Sequence, residues 1–456
     1  MEKIKTIALC WLVFLFGFFG GLYVYDFRVW PYQPLKEIKH FILGHPEANV
    51  PLKEKIINDL NLKPSRYIKV VKKNSGRGLE FNDSDRGLYF REGFEFEKYK
   101  ELDGLKLNPR RKGPKIFLSD RAPEGYRLIV APFDFDDTLH GVIMLDPEGR
   151  IANVWHTSQE EVDWDHQSDT NIFPHGFEIA PDGSIVITYD NGDSLTKYDY
   201  CGNVVWRLEG RFHHSIGFEG MDAIWGWQGQ SFVKIDYNTG EILKKFDLDK
   251  VMDANPDIDI FGILQDDTPS GSSWASVKGG HMHPNDIDPL PKELERHYPG
   301  FSAGDLLVCV RSPNLVFVMD QETLKVKWWR QGLARRPHDP DWNDKGTITI
   351  FNNNMNRSYS NIMEVNPVTF EYAIILSGEM YDFYTWMRGK HQKLADGGFL
   401  ITSPEQGRVF ETNEEGDITF EFLNTYQYNQ EKQEYMEVSE ARFLPKNYFK
   451  ELPQCE

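Results

Sequence analysis

Histidines recur in this chain at the head of one repeating pattern. Imidazole can take up and return a proton, or attack as a nucleophile, near neutral pH. Pro174-His175-Gly176 runs on to Pro181-Asp182-Gly183 and the strand-like Ser184-Ile185-Val186-Ile187-Thr188. Pro337-His338-Asp339 is followed at the same spacing by Lys345-Gly346 and Thr347-Ile348-Thr349-Ile350. Lys390-His391 precedes Asp396-Gly397-Gly398 and Phe399-Leu400-Ile401. His283 precedes Gly304-Asp305 and the apolar run 306–310 after an insertion, and His214 fits more loosely ahead of Met221-Asp222-Ala223. A lone histidine is more often a satisfied structural group than a reactive one. Several at equivalent places in stacked repeats predict convergence on one small volume. His213, His166, His297 and His281 have no matched position and read as surface or local residues.

Arg311 ends the apolar run and precedes Ser312-Pro313-Asn314. A guanidinium there is either paired with a carboxylate of a neighbouring repeat or set to grip two oxygens of an anion. His283 and Asn285 in the same repeat would add an imidazole and an amide to that anion.

The elements that must carry these residues are short strands. Apolar alternation at 125–131, 140–145 and 151–155 is punctuated by Pro147-Glu148-Gly149, and the same ending returns near Cys201-Gly202-Asn203, Asn238-Thr239-Gly240, Asp320, Asn366 and within 408–421. Strand, strand, turn, strand, repeated six times in units of roughly 40–50 residues, is the arithmetic of a propeller. The histidines precede the first strand of each unit and so belong at one mouth of the central channel. Trp155, Trp206 and Trp328 close their units and are expected to pack between neighbours. Two excursions, 249–280 and 290–302, are too irregular for blades and read as loops or short helices over one face.

Composition agrees with an all-β fold: 14% of the 456 residues are aromatic, and Gly and Pro supply many turns. A net charge of −19 argues against nucleic acid as partner. None of Cys10, Cys201, Cys309 and Cys455 forms a C-x-x-C pair, so a thiolate zinc site is not expected, and spacing indicates no particular disulfide.

Lys3 and Lys5 precede an uncharged run over residues 6–25. About 20 residues at ~1.5 Å each reach roughly 30 Å, enough to span a bilayer, and no small-x-small cleavage site follows. The lysines hold residues 1–5 in the cytoplasm and send the rest across. The expected organisation is therefore a cytoplasmic N-terminus (1–5), a transmembrane signal anchor (6–25), a helical stalk or cap segment (26–115), a six-bladed β-propeller (116–430) on the periplasmic side, and a C-terminal tail (431–456). Within the stalk, residues 72–115 are charged and Gly-rich without a sustained period.

The six-unit pattern resembles the bacterial arylsulfotransferases, six-bladed propellers that move a sulfuryl group between phenols, and their membrane-anchored relatives. The similarity runs over about 125–422. It is carried by His-x-Asn at His283 and Asn285 with Arg311 after the next strand, and by His338 ahead of Gly346-Thr347-Ile348-Thr349-Ile350-Phe351-Asn352-Asn353. In the family an equivalent histidine leads to a strand ending Phe-Asp-Asn and takes the sulfuryl group; here Asn352 replaces the Asp. His175, ahead of Glu178 and Pro181-Asp182-Gly183, matches another site histidine.

The resemblance implies catalytic roles for His338, His283, His175 and Arg311. It implies substrate contacts from Asn285, His214 and His391, with Thr402 or Ser403 as the hydroxyl residue. A small aryl sulfate and a phenol would be the substrates, with no metal and no cofactor. Neutral His338 would displace the donor phenolate from sulfur, and a phenol would take the group from the N-sulfohistidine in ping-pong order. Two other classes fit the same residues: a propeller whose histidine ring ligates iron or zinc, and a non-catalytic binding or scaffold module that grips an anion.

Overall fold

The computed structural model describes residues 98–456 except 110, 112, 137, 158–172, 191–193, 259–281, 356, 358, 430–431 and 456, together with the short strands Lys69–Val70, Lys72–Lys73 and Tyr89–Phe90. The expected membrane span at 6–25 and the helical stretch ahead of residue 69 lie outside these residues. Among the described residues, no helix is long and apolar enough to cross a membrane.

The body is a six-bladed β-propeller, each blade an antiparallel sheet. The innermost strands, taken round the axis, are Glu440–Pro445, Phe173–Ile179, Phe212–Glu219, Pro284–Pro289, Pro337–Trp342 and Lys390–Lys393. Each packs against its counterpart in the next blade until the ring closes. The sequence pattern had placed the histidines just before a blade. In fact they lie on or beside these innermost strands. Sequences such as PHGFEI, PNDIDP and PHDPDW hide that role, because Pro removes ladder donors and Asp is poor in strands.

The first blade corrects another expectation. Its innermost strand, Glu440–Pro445, comes from the segment read as a C-terminal tail and pairs with Gly125–Pro132. The propeller is thus closed by strands from opposite ends of its sequence. At this seam Arg127 of the first blade makes a bidentate, fully buried pair with Glu411 of the sixth (2.8 and 2.7 Å). The sixth blade gains two outer strands, Lys115–Leu118 at the expected start of the propeller and Lys100–Glu101 from the region read as stalk or cap.

The repeated turns have one mechanism. Between the third and fourth strands of each blade, Asp146, Asp199, Asp236, Asp320, Asn366 or Asn413 accepts hydrogen bonds on its side-chain oxygen from backbone N–H groups two to four residues on. The tryptophans stitch blades together as expected. Trp155 is fully buried and donates to Asp199 O (3.0 Å), and Trp206 donates to Tyr237 O (3.0 Å). Of the two excursions, the first begins with the helix Leu248–Ala254 and the second holds the 3₁₀ turn Glu295–His297.

Cys201 and Cys455 are joined in a disulfide, a pairing that spacing alone did not indicate. It ties the chain beyond the closing strand to a turn of the second blade. Tyr448, Phe449 and Leu452 lie over that blade's core, and the Tyr448 hydroxyl reaches Ile179 O.

Candidate active site

Four consecutive innermost strands each break register in their first half. The residue left over is His175 in the second blade, His214 with Ser215 in the third, Asn285 in the fourth and Asp339 in the fifth. A bulge bends its strand and re-aims a side chain. His214 (φ 56°), His283 (φ 55°), Arg336 (φ 56°) and Asp339 (φ 49°) all take the left-handed backbone conformation. Non-glycine residues seldom adopt it, and it gathers where a site over-determines the backbone. Gly176 answers a stricter need, since a Cβ there would sit 1.8 Å from His214 O.

The result is an imidazole cluster. The rings of His175 and His214 are 4.1 Å apart between centroids, and those of His214 and His283 are 4.8 Å apart. His283 Nε2 meets His214 Nε2 at 3.1 Å. Arg311 is fixed beside them by its amide, which donates to His283 O (3.0 Å). Asn285 donates its side-chain N–H to Pro337 O (2.8 Å), so it holds the start of the strand that bears His338. Its Oδ1 is buried without a hydrogen-bond partner.

Burial, and then the charges of Arg311 and His175, push His338 well below the ordinary imidazole range. Burial, followed by His175, His213, His283 and His338, does the same to His214. Both rings are neutral at pH 7 and keep a lone pair. For His338 the lone pair can be assigned. Nδ1 lies 3.1 Å from Arg336 O, a carbonyl that can only accept, so Nδ1 carries the proton. Nε2 then bears the lone pair and receives the Arg388 amide at 3.2 Å. Asn353 braces that amide by donating to Arg388 O (2.6 Å) and Thr385 O (3.0 Å), and the Arg388 guanidinium pairs with Glu437 (2.9 Å).

Of the residues expected at the site, His175, His214, His283, His338 and Arg311 are brought together, with Asn285 behind them. His391 is not. Its strand keeps regular register, and the ring is turned to the next level of the channel, where Nδ1 meets Asp339 (3.0 Å) and Nε2 meets Thr349 Oγ1 (2.8 Å). Thr402, cross-strand from Lys390, is buried with its hydroxyl lacking a hydrogen-bond partner. Ser403 turns away to Gln406 (2.6 Å). His213, read from sequence as a surface or local residue, contacts the cluster: its Nδ1 is 2.6 Å from His214 Nδ1. The adjacent His-His pair was the visible signal.

One level deeper the channel is ionic. Lys390 bridges Asp286 and Asp339 at 2.9 Å each, and Arg442 bridges Glu440 (2.7 Å) and Glu178 (3.3 Å). Burial disfavours the Asp339 carboxylate, yet Lys390 and His391 hold it below the usual range. Burial raises Glu440 to about 7, against the pull of Arg442 and Lys390. Asp339, Asp341 and His391 have spacing that could hold a metal ion. Both oxygens of Asp339 already face Lys390 and His391, so the donor set fits a cation poorly.

A closed β ring with buried, neutral imidazoles and an arginine at one channel mouth suits an anionic group that must be attacked and handed on. The family model described as Arylsulfotransferase (ASST) matches residues 140–425, and the chain belongs to that family. No curated protein matches the chain. Among solved structures, a protein of unknown function from Bacteroides caccae is similar at 11% identity, over 70% of this chain and 98% of that one (TM-score 0.44). The Neurospora crassa Pan2 WD40 domain is similar at 10% identity, over 73% and 80% (TM-score 0.36). Virginiamycin B lyase from Staphylococcus aureus is similar at 11% identity, over 54% and 69% (TM-score 0.34). Likenesses this distant carry no argument about substrate.

Proposed function

We propose that this protein transfers a sulfuryl group from an aryl sulfate to a phenol through His338, without a nucleotide sulfate donor. The observation that carries this reading is the assigned lone pair on His338 Nε2, inside a buried cluster that also holds Arg311. In the first displacement Nε2 gives up its hydrogen bond from the Arg388 amide and attacks sulfur, the S–O bond to the donor phenolate breaks, and an N-sulfohistidine forms. Arg311, His283 and His175 are the donors for the non-bridging oxygens, whose charge a water-poor site must stabilise. In the second displacement a phenol oxygen attacks sulfur, the S–N bond breaks, and the electron pair returns to Nε2. Asn285 acts by position, through Pro337, and Thr402 supplies a hydroxyl at the sixth blade.

The same reading places the propeller outside the cytoplasm, anchored by residues 6–25. The Cys201–Cys455 disulfide supports an oxidising compartment. Brief exposure to a chromogenic aryl sulfate followed by peptide mass analysis tests the mechanism. The peptide containing His338 should gain one sulfuryl group. A gain elsewhere, or none despite turnover, overturns the assignment.

A further inference from the structure

We propose that Asn314, in the fourth blade, is a positioning residue for sulfuryl transfer that acts on His338 through the Arg336 carbonyl; the inference rests on the transfer reading above. Asn314 closes the turn between the strands Leu306–Val310 and Leu315–Met319. Its amide donates to Arg311 O (3.1 Å), and the Arg311 amide donates to His283 O (3.0 Å). Its side chain reaches the segment that leads into the fifth blade, where Oδ1 accepts the Arg336 amide at 2.8 Å. The Arg336 carbonyl then accepts the Nδ1 proton of His338 at 3.1 Å. One residue thus joins the turn that carries Arg311 to the group that holds the nucleophile's proton. Arg336 needs such a hold. Its left-handed backbone (φ 56°) is costly for an arginine unless neighbours fix it. Two asparagines do so: Asn352 Oδ1 accepts the Arg335 amide (2.8 Å), and Asn314 Oδ1 accepts the next one. Asn314 is itself left-handed (φ 53°), which asparagine tolerates better than most residues, and its carbonyl accepts the Gly332 amide at 2.8 Å.

The carbonyl matters most while the bond to sulfur forms. At rest the His338 ring is held at both nitrogens, by the Arg388 amide on Nε2 and by Arg336 O on Nδ1. Attack on sulfur gives up the first contact and keeps the second. As the S–O bond breaks, its electron pair leaves with the phenolate. Nε2 shares its lone pair with sulfur, and positive charge spreads through the ring to Nδ1–H. A carbonyl holds a charged N–H more strongly than a neutral one, so this contact tightens toward the transition state. A carbonyl cannot take the proton, so the ring stays an N-sulfoimidazolium and remains a good leaving group. In the second displacement the S–N bond breaks and the electron pair returns to Nε2. The Nδ1 proton stays in place throughout. Asn314 touches neither substrate nor imidazole; it works through Arg336.

The test is Asn314→Gly, which suits the left-handed turn and removes only the side-chain acceptor, with Asn314→Asp to restore an acceptor oxygen. In N314G the burst rate constant for phenolate release from nitrophenyl sulfate should fall about tenfold to a hundredfold per folded molecule. The donor concentration that gives half the maximal burst rate should stay within about twofold, because Arg311 and His283 are untouched. N314D should recover most of the rate. In ¹⁵N-histidine-labelled protein the Nδ1–H proton of His338, assigned by its absence from H338N, should move upfield in N314G and return in N314D. An N314G protein with the parent's burst rate constant, a loss confined to donor affinity, or an N314D protein as slow as N314G overturns this inference alone. If the unsubstituted protein releases no phenolate from any aryl sulfate, the transfer reading falls and takes the inference with it.

Discussion

The mouth of the channel and the level just beneath it are built from neighbouring residues on the same strands, yet they have opposite electrostatics. His338 is followed by Asp339, and Asn285 by Asp286. The upper level gathers imidazoles, of which burial and neighbouring positive charge keep His214 and His338 neutral. The lower level gathers carboxylates around Lys390 and Arg442 and is locked by ion pairs across blades. Burial drives both, and the outcome depends on whether a counter-charge is in reach. Without one, as at His214 and His338, a group stays neutral and keeps a lone pair; with Lys390 and His391 in reach, Asp339 stays charged and ties blades together. Reactivity and mechanical closure are separated by a single step along the strand.

The largest effect expected is on the upper level. His338→Asn should lower transfer from a chromogenic aryl sulfate about a thousandfold or more and leave the melting temperature nearly unchanged. A folded H338N protein that still transfers would break the contrast. Lys390→Met should do the reverse. Leaving Asp286 and Asp339 buried without their cation should cost about 3–5 kcal/mol in denaturant unfolding, with activity per folded molecule largely kept.

Arg311→Lys should reduce transfer by about ten- to a hundredfold, since a point charge replaces a two-pronged donor. Its thermal unfolding should stay close to that of the parent. The smallest effect is the pH dependence of stability, and here the two levels pull in opposite directions. His214 and His338 titrate lower folded than unfolded, so their contribution is full above about pH 6.5 and is lost as pH falls below it. Glu440 titrates near 7 folded against an ordinary 4.5, so its contribution is full below about 4.5 and is lost as pH rises through 7. Urea unfolding of Glu440→Gln should weaken the second slope and retain the first; His214→Gln should weaken the first, leaving the share from His338, and retain the second.

Much of this arrangement was legible in the residues. Outer strands alternate cleanly and end in Asp or Asn turns, so the six-fold repeat could be counted. Equivalent histidine positions then implied a meeting point, which the ring supplies for His175, His214, His283 and His338. The innermost strands were harder to see, because the bulges that aim those side chains are written in Pro, Gly and Asp. His391 was misplaced for the same reason: its spacing matches, but its strand lacks the bulge, and a one-residue difference in register turns a side chain to another level. Glu440–Pro445 has no local signal that its partner is Gly125–Pro132, and pairing among a few cysteines is not encoded by spacing.

The closing strand also sets an order of assembly. Glu437, just ahead of it, grips Arg388, whose amide meets His338 Nε2. Until residues 437–445 have docked, the first blade lacks its innermost strand and the Arg388 amide that meets His338 lacks its brace. Five sixths of the architecture can exist before any competent centre does. The site is therefore complete only once residues 437–445 have docked, and the bond from Cys455 to Cys201 ties the chain beyond them to the second blade.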